Sequence, residues 1–313
     1  MLTKLNKIIL IISLILLPSQ SLALAIAKVT IKAVNEAGDP IVGGKVHMSF
    51  TVPRSNGWGS ADIFKNGMTD ENGIFTESSK CIGTMGFSVD KEGYYQSGAG
   101  YEFKATSGLI IKKWGPWNPT ITVVLKKKRN PVPMYDSWRE TYKISLLDKP
   151  IGFDLEKNDW VSPYGIGIIN DLIFTFRVVD RAYRDYECSF SLTFSNEKDG
   201  IQEYYFDKQN QSLYRWPFEA PLDGYKPKLT KKKSITETGP YISNEIENVN
   251  YLIRVRTKTD KSGKILEAKY GKMPMEFGFS PVPNITFRYI LNPDGTRNIE
   301  DNPAKNLFLN KRQ

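Results

Sequence analysis

Histidine is almost absent from this 313-residue chain, where His47 stands alone. A multi-histidine metal site is excluded, and histidine-based catalysis is left one candidate. Cysteine is nearly as scarce: Cys81 and Cys188 are too few for a disulfide-dense scaffold. Beyond Leu17 no apolar run approaches the ~20 residues that a membrane-spanning helix needs. No amphipathic helix of convincing length is found in the first half, where the apolar residues follow a period of two instead. An apolar fraction of 40% and an aromatic fraction of 12% nevertheless belong to a folded chain and not to a disordered one.

The N-terminus carries a pattern of its own. Lys4 and Lys7 precede the apolar stretch Ile8–Leu17, Pro18 breaks it, and Ala23-Leu24-Ala25 is a small-x-small cleavage signal. Residues 1–25 are therefore predicted to be a secretory signal peptide. Ala25-Ile26-Ala27 offers a second cut, so the cleavage site stays open between the two. No cysteine follows the apolar run, which excludes a lipid-anchored lipoprotein. The expected location is periplasmic or secreted.

The expected fold class is all-β: an N-terminal Ig-like or transthyretin-like sandwich over 26–125, then a larger antiparallel β domain over 134–313. Apolar and polar residues alternate in Val29–Val34 and Lys45–Phe50, with further strands expected at Ile74–Glu77, Gly86–Asp90 and Thr120–Leu125. Asn72-Gly73 reads as a hairpin turn. The basic, proline-containing stretch 126–133 is expected to link the domains. Beyond it, Leu172, Phe174, Phe176 and Val178 share one strand face, as do Cys188, Phe190, Leu192 and Phe194. Tyr251–Lys258 alternates, Asp260-Lys261-Ser262-Gly263 turns into Lys264–Lys272, Met275–Phe279 alternates again, and Ile285–Leu291 is the last strand expected. The tail from 292 either wraps the domain or hangs loose.

In the first domain, Gly38-Asp39-Pro40-Ile41-Val42-Gly43-Gly44-Lys45-Val46, Thr69-Asp70-Glu71-Asn72-Gly73-Ile74-Phe75 and Lys91-Glu92-Gly93-Tyr94 form a recurring pattern. In these residues the chain resembles the bacterial carboxypeptidase regulatory-like domains, over about a third of its length. The resemblance implies a small β-sandwich, and such domains accompany peptidases, outer-membrane receptors and surface proteins. A zinc peptidase cannot follow here, because its metal site would need a second histidine. Residues Pro53–Gly67 are long for the family and are expected to be an insertion. No family is recognised in 135–313.

Candidate chemistry is sparse. His47 shares a strand face with Lys45 and Ser49 and is expected to face solvent. Two carboxylates suffice for glycoside hydrolysis, and Asp154, Glu156 and Asp159 cluster, as do Asp180, Asp185 and Glu187. Asp70-Glu71-Asn72 lacks the ligand number of a calcium loop, and neither a metal nor a cofactor is expected. Trp114, Trp117, Trp160, Tyr164 and Trp216 lie beside Gly or Pro and are the candidate ligand-binding residues, able either to stack on sugars or to plug the ends of the sandwich. Cys81 and Cys188 leave two arrangements open: an interdomain disulfide closing roughly 100 residues, worth about 4.7 kcal/mol in the entropic account, or two separate buried thiols.

The net charge of +9 is concentrated in the leader, in Lys126–Arg129 and in Lys231–Lys233, over two nearly neutral domains. That distribution speaks against a nucleic-acid partner and for solvated loops or contact with an anionic surface. The combined expectation is a non-catalytic binding or scaffolding protein of the cell envelope or extracellular space, with an unidentified envelope protein or glycan as partner. The alternatives are a carboxylate-based polysaccharide hydrolase and a glycan-binding module that uses the loop tryptophans.

Overall fold

The computed structural model describes residues 24–56, 58–104 and 113–309, so the predicted leader lies outside the described residues up to Ala23. The chain forms two compact units. Unit 1 runs to Lys127 and also takes in Gln211–Tyr214; unit 2 comprises Lys128–Asn210 and the chain from Arg215 onward. The fold is all-β, with a single 3-10 turn, at Pro303–Lys305, among the described residues.

Unit 1 contains β1 (Ile26–Asn35), β2 (Lys45–Pro53), β3 (Ser60–Met68), β4 (Ile74–Lys80), β5 (Thr84–Asp90), β6 (Ser97–Glu102) and β7 (Thr120–Leu125). They form one sheet in the order β4-β1-β7 and a second in the order β3-β2-β5-β6. Alternation makes the sandwich. Ala27, Val29, Ile31 and Ala33 of β1 are fully buried, and they share a core with Val46, Met48 and Phe50 of β2 and with Met85, Phe87 and Val89 of β5. Each of the Val, Ile, Met and Phe side chains taken out of water contributes about 1.5–3 kcal/mol. The pairing is antiparallel except between β1 and β7, which run parallel.

One strand lies where none was expected, and one turn differs from its expectation. The stretch assigned to an insertion contains β3, which pairs antiparallel with β2 from Lys45↔Met68 to Pro53↔Ser60. Its side chains are mostly exposed, so it lacks the buried alternation that marks a strand in sequence. The Asn72-Gly73 turn closes no hairpin: it carries the chain from β3 in one sheet to β4 in the other. Asp70 organises it, accepting from the amides of Asn72 (2.9 Å) and Ile74 (2.8 Å). Gly73 sits at φ +74°, and a Cβ there would lie 2.4 Å from the Ala33 carbonyl oxygen, so only glycine fits.

Unit 2 contains β8 (Tyr135–Asp136), β9 (Glu140–Lys143), β10 (Pro150–Asp154), β11 (Asp159–Trp160), β12 (Leu172–Ala182), β13 (Asp185–Thr193) and β14 (Gly200–Tyr205). It continues with β15 (Lys228–Ile235), β16 (Ile242–Ser243), β17 (Val249–Thr259), β18 (Ile265–Met273), β19 (Gly278–Phe279), β20 (Asn284–Phe287) and β21 (Ile290–Asn292). Three sheets result, in the orders β11-β10-β12-β13-β15-β16, β14-β17-β18-β21-β8 and β19-β20-β9. Their shared core is aromatic. Phe190 meets Phe279 edge-on at 5.0 Å, and Phe153 meets Trp160 edge-on at 5.2 Å, the favourable arrangement for ring quadrupoles. β17 is an interior strand between β14 and β18, with Val249–Val255 buried without interruption, so Leu252 and Arg254 are covered as well as the alternating set.

The last expected strand divides. Asn284–Phe287 and Ile290–Asn292 belong to different sheets, and between them Tyr289 exchanges backbone and side-chain hydrogen bonds with Ser137. The tail wraps unit 2: Ile299 and Glu300 are buried, and the Glu300 carboxylate accepts from the amides of Arg129 (3.0 Å) and Asn130 (2.6 Å). The expected linker is thus bonded along its length. Lys231–Lys233 is no loop but the middle of β15. Lys231 is buried opposite Phe190 and paired with Glu276 at 2.5 Å, so it cannot reach an anionic surface. Lys233 points to Glu245, and only Lys232 is largely exposed.

Cys81 and Cys188 are free thiols, one in the core of each unit. Burial raises both, Cys188 to about 11. Neither is a competent nucleophile at neutral pH. Unreduced native protein should resist iodoacetamide and take up two carbamidomethyl groups after denaturation; intact mass reads the result.

Candidate functional site

The acidic cluster that suggested hydrolysis is gathered around Arg256. The hairpin after Thr259 is tight, with Gly263 donating to the Asp260 carbonyl, and the β17–β18 pairing slips between Val255 and Lys258. This bulge places Arg256 at φ +56° and redirects its side chain. The guanidinium bonds Asp171 through Nε and Nη2, each at 2.8 Å, and reaches Asp154 at 3.2 Å and Glu156 at 3.0 Å. Lys269 pairs with Glu156 from the next strand. Asp199 fixes the bulge from the other side, accepting from the amides of Arg256 and Thr257.

The electrostatics are those of a clamp. Burial pushes the Asp154 carboxyl up, but the amides of Ile168, Ile169, Glu156 and Lys157 outweigh it and hold the group below the usual range. At Asp171 burial prevails and raises the carboxyl, against the opposing pull of Arg256. Burial works against the Arg256 charge, yet Asp171, Glu156 and Asp154 together hold it firmly ionised. A glycosidase needs two carboxyl groups that both reach the substrate, about 5–5.5 Å or 6.5–9.5 Å apart. Asp154 and Asp171 are instead buried on one guanidinium. Asp159 accepts from the amides of Trp160 and Ile166, shaping a loop. Asp180, Asp185 and Glu187 gather at the β12–β13 hairpin, where Glu187 pairs with Lys232. His47 is exposed on the outer face of β2, bonded to Asn66 at 3.0 Å.

The candidate aromatic residues do not form one platform. Trp160 is in the unit 2 core, against Phe153 and Phe174. Trp216 is buried, stacked on Tyr204 at 5.5 Å and met edge-on by Phe206. Trp114 is half-buried against the unit 1 core and donates to the Cys81 carbonyl at 3.0 Å. Packing inside the protein uses up these three rings. Trp117 and Tyr164 remain exposed, one in each unit, and Lys113 lies 4.7 Å over the Trp117 ring.

Flanking Gly or Pro is also the wrong guide to an exposed tryptophan in unit 2. Trp138 stands between Ser137 and Arg139 and is 55% exposed. It borders a cavity of about 390 Å³ together with Glu140, Asn158 and Glu156. The missed signal is local: Asp136 two residues earlier is positioned to accept the Trp138 amide, as turn-forming Asp residues do.

No family model matches the chain, and no curated protein does. Among solved structures it is similar to 3-chlorocatechol 1,2-dioxygenase from Rhodococcus opacus 1CP, at 14% identity and a TM-score of 0.27, over 35% of this chain and 62% of that one. It is also similar to the shaft pilin spaA from Lactobacillus rhamnosus GG, at 11% identity and a TM-score of 0.24, over 88% of this chain and 96% of that one. A third likeness is to BcpA, the major pilin subunit of Bacillus cereus, at 10% identity and a TM-score of 0.23, over 87% and 97%. Among the described residues, no helix is long and apolar enough to cross a membrane.

Proposed function

We propose that this is an exported, non-catalytic binding or scaffolding protein of the cell envelope or extracellular space, built from a carboxypeptidase regulatory-like domain and a larger antiparallel β unit. The observation that carries the non-catalytic reading is the Arg256 clamp. It ties the buried carboxylates of the acidic cluster to a structural cation instead of presenting them to a substrate. The domain assignment is supported by unit 1 at the quoted Gly38, Gly44 and Gly93 positions, though not at Asn72-Gly73, which joins two sheets. Gly38 and Gly93 lie at φ +91° and +81°, and the Gly44 amide donates to Thr69 Oγ1 at 2.8 Å. Export is supported by the leader pattern, with β1 beginning directly after the first of its two cleavage sites.

A panel of bacterial and plant polysaccharides and of denatured protein substrates, assayed for new reducing ends and new amines, is expected to show no turnover. Turnover that disappears in Asp154→Asn or Asp171→Asn would overturn the reading and favour the hydrolase.

A further inference from the structure

We infer that the cavity beside Trp138 binds an uncharged carbohydrate, a mono- or disaccharide unit of a larger glycan; this rests on the reading of the protein as a non-catalytic binder. The cavity has about 390 Å³, within the roughly 300–1,000 Å³ usual for small-molecule sites. Its apolar wall is the Trp138 indole with Ile166 beside it, both largely exposed.

The indole is held in place. Trp138 sits at φ +56°, a region that bulky side chains rarely enter. Its amide donates to Asp136 Oδ1 at 3.1 Å, and its carbonyl accepts from Ser137 Oγ at 2.9 Å. Arg288, fixed by two hydrogen bonds to Asp136 at 2.9 and 2.6 Å, lies 5.5 Å over the ring. Retained backbone strain of this kind is characteristic of ligand sites.

The polar wall is equally fixed. Asn158, itself at φ +57°, accepts through Oδ1 from the Tyr142 hydroxyl at 2.7 Å, while the nearby Tyr289 hydroxyl gives its one proton to the Leu155 carbonyl at 2.5 Å. Burial raises both tyrosines, so they stay protonated donors at neutral pH. That sets the amide so that Nδ2 donates to Glu140 Oε2 at 2.9 Å and orients the carboxylate. A rigid aromatic face beside a preset carboxylate, amide and the exposed Lys157 ammonium matches a sugar ring, apolar on its C–H face and hydroxylated at its edge. The Glu140 carboxylate in the lining disfavours an anionic sugar, whereas the charge of Glu156 is already met by Arg256 and Lys269.

Affinity electrophoresis of the purified protein tests this, in gels containing a neutral β-glucan, xylan, mannan or soluble chitin oligomers, with polygalacturonate for comparison. At least one neutral gel should retard the protein. Trp138→Ala should weaken that retardation at least tenfold, Trp138→Phe and Glu140→Gln less, and Trp117→Ala not at all. If Trp138→Ala fails to fold, Trp138→Phe and Glu140→Gln decide. The site is refuted if no neutral gel retards the protein, if Trp138→Ala (or, where it does not fold, both other variants) migrates like the parent, or if polygalacturonate retards it most. Release of reducing ends within these gels would instead overturn the non-catalytic reading and leave the sugar site standing.

Discussion

Arg256→Ala should destabilise unit 2 by about 3–5 kcal/mol, the usual cost of removing one partner from a buried ion pair. Asp171 and Asp154 have side chains 0% and 3% exposed, and the guanidinium supplies hydrogen bonds to both. Without it two carboxylates stay buried near each other, with amide donors but no cation bonded to them. Arg256→Lys should fall in between, because an ammonium keeps the charge and loses the two-pronged contact with Asp171. The pH dependence is a second signature. Asp154 is held below its ordinary value, so its contribution is present above about 3.9 and is lost as pH falls through the folded value. Asp171 is raised, so it favours the folded state below about 3.9 and costs stability as pH rises through that value towards its folded one. In Arg256→Ala both carboxyls lose their cation and move up. The variant should therefore lose most at neutral pH and approach the parent in acid. Urea denaturation followed by tryptophan fluorescence at pH 7 and pH 4 checks this; a variant equally destabilised at both would show that the clamp is not electrostatic.

The clamp also shows where reading the sequence succeeds and where it stops. Strands whose one face is buried announce themselves, as in Leu172–Val178 and Lys45–Phe50, because burial imposes a period of two. Strand β3 does not, since an edge strand with both faces largely exposed carries no such signal. In Val249–Val255 the strand is legible from Tyr251 onward, but its burial is not: both faces are covered, and Arg254 is buried by bonding two carbonyls. Charge runs mislead for a related reason: Lys231 and Lys232 are neighbours in sequence, but strand geometry sends one into the core and the other to solvent. The candidate sites follow the same logic. Asp154, Glu156 and Asp159 were legible as a cluster, yet Arg256 and Asp171, which decide its chemistry, lie far away in sequence and are brought in by a bulge and by sheet pairing. Three of the loop aromatics turned out to be packing, while Trp138 owes its exposure to a turn held by Asp136.

Lys272→Met should cost unit 2 a comparable amount, about 3–5 kcal/mol, for a chain-length-conserving change that removes only the charge and its hydrogen bonds. The Lys272 side chain is 1% exposed; Nζ donates to Asp301 at 2.5 Å and to the Ile299 carbonyl at 2.8 Å. Burial pulls its pKa down, with Asp301 working to restore it. Because the folded value is lowered, protonated Lys272 is itself a strain on the fold, and its cost is relieved as pH rises through that folded value towards the unfolded one, about 10.4. The amine is thus retained against a desolvation penalty, and what justifies it is the partner. Asp301, 14% exposed, follows Glu300 in the tail that wraps unit 2. Removing the amine strands that carboxylate, whereas removing both charges does not. Lys272→Met combined with Asp301→Leu should therefore recover at least half of the loss, since apolar replacement of a whole buried pair is often neutral or stabilising. Strict additivity of the two single changes in a double-mutant cycle would mean that the tail is held by packing at Ile299 and by the hydrogen bonds that Asn306 exchanges with the Asp136 backbone, and not by the ion pair.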